Sequence, residues 1–92
     1  MVHIVEWKIG PAHFKYTAVL SDGRAVHFGH KIYPIYKDRT PLKLYTHLEH
    51  RCKTRRDRYR RLHSGEIDEH TGEFLVDIKF SPEWFMFEYL WK

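Results

Sequence analysis

The chain has a single cysteine, Cys52, so it can form no internal disulfide, and a reducing setting is expected: cytosol, nucleus or the inside of a virion. No apolar run approaches the ~18 residues that cross a bilayer. The opening Met-Val-His-Ile-Val-Glu also lacks the charged and apolar regions of a signal peptide, so a soluble, unexported protein with no membrane partner is the expectation. Glycine-rich phosphate cradles and a Ser/His/Asp order are absent, and with them the usual signs of an enzyme. Helix-turn-helix, zinc-finger and RNA-recognition signatures are missing too, so nothing marks base-edge readout. The scarcity that matters most is local: between Arg51 and His63 there is one acid, Asp57, among seven of the sixteen Lys/Arg residues.

That segment carries a net charge of +6, while the remainder holds nine basic against eleven acidic residues. Such segregation builds a local field for a polyanion or an acidic protein surface. Arg51, Lys53, Arg55, Arg56, Arg58, Arg60 and Arg61 offer donors suited to phosphate, and Tyr59 adds a flat ring for sugar or base. A solvated helix face is the plainer alternative. Fifteen aromatics among 92 residues indicate a folded module, and the length fits one domain, 1–92.

Along the chain, Val2 to Ile9 reads as a strand. His13 to Leu20 and Ala25 to Phe28 read as a hairpin around Asp22-Gly23, with Phe14, Tyr16, Ala18 and Leu20 on one face, Lys15 and Thr17 on the other, and Gly29 ending the second strand. Lys31 to Tyr36 is a short edge strand or an ordered loop. Thr40-Pro41 looks like a helix start, and Tyr45, Leu48, Cys52, Tyr59 and Leu62 give an apolar stripe at helical spacing. The spacing fits either one helix from Pro41 to His63 or one from about Cys52, stopped by Ser64-Gly65. Phe74 to Phe80 reads as a strand, and Ser81-Pro82-Glu83 as the start of an aromatic C-terminal helix.

These elements predict an α+β domain: a small antiparallel sheet packed against a central Arg-rich helix and closed by the aromatic C-terminal segment. Trp84, Phe87 and Trp91 are candidates for partner contact, with core packing as the default. A zinc site can be drawn from His47, His50 and Cys52. Zinc sites in such chains recruit more cysteine, however, and eight histidines produce close pairs by chance, so no metal or cofactor is expected. Cys52 on the apolar stripe reads as a structural thiol rather than a nucleophile. Glu66, Asp68, Glu69 and Glu73 read as an acidic loop balancing the Arg residues.

Val26-His-Phe-Gly29, Asp38-Arg-Thr-Pro-Leu-Lys-Leu-Tyr-Thr-His47, the Arg-Arg-x-Arg-Tyr run from Arg55 to His63, and Tyr89-Leu-Trp91 resemble a family of small basic proteins of unknown function. That family is encoded by large nucleocytoplasmic DNA viruses of algae and amoebae. The resemblance spans about Tyr16 to Trp91. It implies viral origin and a virion component, located in the particle or in host cytoplasm or nucleus, and it brings no catalytic residues. The expectation is a non-enzymatic, virion-associated protein that binds nucleic acid, DNA first, through its Arg helix. The alternative is a minor capsid or cement protein whose Arg helix and aromatic end dock on viral capsid proteins.

Overall fold

The computed structural model describes all 92 residues. Strands β1 (Ile4–Ile9), β2 (Phe14–Leu20) and β3 (Ala25–His30) form an antiparallel meander in the order β1-β2-β3. The β2–β3 turn follows its sequence signal: Gly23 takes φ +93°, and the Asp22 carboxylate accepts the Arg24 amide. Central strand β2 contributes Tyr16, Ala18 and Leu20 to the core, where they meet Phe28 of β3. The ring of Phe28 stacks on Phe85 at 4.9 Å, and Trp7 of β1 meets both rings edge-on.

The sheet is therefore covered by the C-terminal segment. Ser81 caps helix α2 (Pro82–Phe85) by accepting the Trp84 amide at 3.1 Å, as its position before proline predicts. The helix then widens into a π-turn over Met86–Leu90, closed by a Trp91 amide bond to the Met86 carbonyl. An i→i+5 turn carries more residues per revolution than an α-helix. Phe87, Leu90 and Trp91 keep the i, i+3, i+4 spacing of one helical face, and Phe85, off that face, is buried against Phe28 of the sheet.

Several expectations are corrected. Lys15, assigned to the outer face, is fully buried. Gly29 sits within β3 rather than ending it, at φ +76°, and its missing side chain leaves room for the Lys15 stem: a Cβ there would lie 3.1 Å from Lys15. The ammonium donates to the carbonyls of His30 and Tyr33 and lies 5.1 Å from the centre of the Tyr45 ring. Of the two readings of Lys31 to Tyr36, the ordered loop is the one found, tied down by an isolated bridge between Ile35 and Glu49.

Thr40-Pro41 opens no helix, because Asp38 captures the amides that would begin one. Its buried carboxylate accepts from the Tyr16 hydroxyl at 2.5 Å, the Thr40 amide at 2.9 Å, the Thr40 hydroxyl at 2.6 Å and the Tyr45 amide at 3.2 Å. The Tyr16 oxygen in turn accepts the Leu44 amide at 2.8 Å. The loop closes around an anion instead of coiling. The Arg-rich helix α1 is thus the shorter version, Lys53–His63, with Cys52 at its N-cap and Ser64 after it. Phe74 to Phe80 is no strand either. It turns on itself through Ile78 to Leu75 and Ser81 to Ile78 amide–carbonyl bonds, around a 3-10 turn at Leu75–Asp77.

Replacing Asp38 by Ala strands several buried donors, so urea unfolding is expected to show a loss of about 3 kcal/mol at unchanged m-value; a loss below about 1 kcal/mol contradicts the hub. Burial also lowers the Lys15 pKa from 10.5 to about 8, against the opposing pull of Asp38. Between those values the unfolded chain holds the extra proton, so stability rises with pH through that window; below it, the cost of burying the charge is fully present. The stability of the wild type relative to Lys15→Met is accordingly expected to increase from pH 8 to 10.5 in parallel urea titrations, and a flat difference contradicts it.

Candidate nucleic-acid interface

Helix α1 has no acid in its first turn and carries Arg60, Arg61 and His63 in its last, where positive charge faces the negative end of the helix dipole. None of its residues is fully buried. Its attachment is narrow. Tyr59 stacks on Trp91 with centroids 4.0 Å apart and planes 6° from parallel. Burial, with the carboxylates of Glu66 and Glu83 nearby, pushes the Tyr59 hydroxyl well above its usual range. Beside it, Nη1 of Arg60 donates to the carbonyls of Phe87 at 3.3 Å and Trp91 at 3.2 Å, and the guanidinium lies 4.8 Å from the centre of the Phe87 ring. Arg60 thereby satisfies carbonyls left open at the C-terminal end of the π-turn.

The basic residues of the segment therefore divide by what they touch. Arg51 makes a two-point contact with Glu49 at 3.1 and 3.0 Å, and Glu49 also accepts the Asp38 amide at 2.7 Å, so Arg51 extends the Asp38 network. Arg56 lies 4.9 Å from the centre of the Tyr36 ring and donates to Asp57 at 3.1 Å. Arg60 and Tyr59 belong to the anchor. Lys53, Arg55, Arg58 and Arg61 are exposed and enter no ion pair. Arg55, Arg58 and Arg61 follow one another at three-residue spacing, a ridge that climbs ~4.5 Å per step. Leu62, placed on the buried stripe from the sequence, is instead 68% exposed beside that ridge.

The other candidates lie elsewhere. Phe87 and Trp91 are 7% and 8% exposed and Trp84 is half-buried, so the aromatic end is mostly consumed by the fold. His50 Nδ1 accepts the Cys52 amide at 2.9 Å, and its ring packs on Trp91 and Tyr36. Burial, and then the charge of Arg55, lower its pKa. His47 is exposed against Tyr45, and Cys52 is half-buried. These three do not converge, and no group of three His, Cys, Asp or Glu side chains is placed to hold a metal ion. No helix is long and apolar enough to cross a membrane. Within the acidic loop, Asp68 caps its own turn through the His70 and Thr71 amides, and Glu66 hydrogen-bonds His63.

No family model, curated protein or solved structure matches the chain. What the site can do is read from its own geometry: a rigidly mounted row of free guanidinium groups on one side of a short helix.

Arg60→Ala removes two charge-assisted bonds to backbone carbonyls and is expected to cost about 1.5–2 kcal/mol in thermal or urea unfolding, whereas Arg58→Ala is expected to cost under about 0.5 kcal/mol. Equal costs would place Arg60 on the free ridge and contradict the division.

Proposed function

We propose that the chain is a non-enzymatic nucleic-acid-binding protein whose helix α1 lies along the phosphate backbone. The observation that carries this reading is the set of exposed, unpaired cations Lys53, Arg55, Arg58 and Arg61 on an otherwise slightly acidic domain. Guanidinium forks match phosphate oxygens, and a short ridge without base-reading amides, with Leu62 as its one exposed apolar neighbour, suits contact with the backbone rather than sequence. Tyr59 and Arg60 act here as mounting, and Arg51 and Arg56 as flanking charge. Following the family resemblance, the nucleic acid is DNA packaged in the particle of a large DNA virus.

The rival reading, a minor capsid or cement protein, uses the same ridge against an acidic coat surface. Its aromatic half has little support, since Phe87 and Trp91 expose too little area to fill a groove.

Titrating duplex DNA at several salt concentrations tests the reading. Neutralising about four phosphates gives a log K against log[salt] slope of about −3.6, and each of Arg55→Ala, Arg58→Ala and Arg61→Ala is expected to reduce its magnitude by about 0.9. Absence of binding near ~100 mM salt, or a slope indifferent to these substitutions, sinks the nucleic-acid reading and favours an acidic protein partner.

A further inference from the structure

The acidic segment that follows α1 does not balance its arginines. Residues 64–78 hold five acids, Glu66, Asp68, Glu69, Glu73 and Asp77, and no lysine or arginine, directly after a stretch of net charge +6. Of the five, only Glu66 enters an ion pair, and its partner is His63 rather than an arginine. Glu69, Glu73 and Asp77 are exposed and take part in none of the six ion pairs. Two consecutive segments of opposite charge leave each other unmatched.

The reason is mechanical. The Tyr59–Trp91 stack and Arg60 fix which way α1 faces. The acidic segment is tied up in an arm of its own, from Glu66 to Leu75. In it the Asp68 amide donates to the Glu73 carbonyl at 2.8 Å, the Leu75 amide donates to the Glu66 carbonyl at 2.9 Å, and Ile67 and Phe74 form an antiparallel bridge. The Glu66 carboxylate, bonded to His63, ties the base of the arm to the end of α1. Large apolar side chains stay outside as well: Leu62 is 68% exposed, Ile67 53% and Phe74 47%. Exposed apolar groups rimmed by charge are the composition of an interaction surface.

We infer that the partner of this surface is a second copy of the chain, related by a two-fold axis, with the acidic arm of each copy laid along the Arg55–Arg58–Arg61 ridge of the other. Charge selects this occupant. A chain with a free cationic ridge and a free acidic arm is complementary to itself, and one two-fold contact satisfies both surfaces in both copies. A polyanion matches the ridge but is repelled by the arm; a second copy matches ridge and arm together and offers Leu62, Ile67 and Phe74 apolar partners of their own kind. A copy seated there covers the ridge, so on the nucleic-acid reading the two ligands exclude each other. The pairing itself requires only that ridge and arm be free, and its test contains no nucleic acid.

Sedimentation equilibrium of the full chain provides that test. A dimer is expected at ~50 mM salt and about 0.1 mM protein, with a dissociation constant that rises about tenfold or more by ~500 mM salt as the charges are screened. Arg58→Glu/Arg61→Glu and Glu69→Lys/Glu73→Lys each set like charges against each other and are expected to be monomeric alone. Mixed in equal amounts, the two variants are expected to pair again, because every ridge then meets an arm of opposite sign. Circular dichroism checks that each variant is folded, and a lost fold is not repaired by mixing. A wild-type chain that stays monomeric up to about 1 mM at low salt, variants that still dimerise alone, or folded variants that stay monomeric when mixed, overturn the inference.

Discussion

The stack of Tyr59 on Trp91, locked by Arg60 against the carbonyls of Phe87 and Trp91, is the contact on which the proposed role of the Arg helix depends. Eleven residues of helix are marginal alone in water, and repulsion among so many guanidinium groups makes this one worse. One aromatic face and one guanidinium fix the rotation of α1 about its axis. Once that rotation is set, Arg55, Arg58 and Arg61 must face outward. A basic tail would collapse on its ligand and lose entropy in doing so, whereas a mounted ridge is already ordered when the ligand arrives.

A second constraint holds the platform on which α1 is mounted. The Asp38 carboxylate gathers Tyr16 from β2 and the amides of the loop that follows it, and Glu49 links that loop through Arg51 to the approach to α1. The same loop reaches the C-terminal segment, where the amides of Tyr36 and Lys37 take the Leu90 carbonyl and that of Arg39 takes the Tyr89 carbonyl. Carbonyls freed by the π-turn are thereby shared between this loop and Arg60. Buried polar groups that are fully partnered specify one arrangement, and here they align the anchor with the sheet. On this account the interior chemistry of Asp38 and Lys15 and the exterior chemistry of the ridge are parts of one mechanical unit.

The small α+β domain and its three antiparallel strands were legible because each strand signal is local: β-branched and aromatic runs, and an Asp-Gly turn that selects positive φ at Gly23. The Ser81 cap was legible for the same reason. Thr40-Pro41 misled because its meaning is decided by Asp38, whose partner Tyr16 lies 22 residues away in sequence. Phe74 to Phe80 misled because a short apolar run does not state whether a strand will find an edge to pair with. In the candidate site, the basic segment was visible as charge. Which guanidinium groups are free was not, since Arg60 and Arg58 differ only in what the C-terminal chain places beside them.

Whether a rigid ridge on α1 is the binding surface is decided by a backbone amide footprint in 1H–15N spectra, taken while adding a short DNA duplex at ~100 mM salt. Shifts are expected to concentrate at residues 53 to 62, with the Trp91 indole and the Tyr16, Asp38 and Tyr45 amides unmoved. Shifts centred on the C-terminal aromatic segment, or a footprint spread evenly over the lysines and arginines of the whole surface, would contradict it.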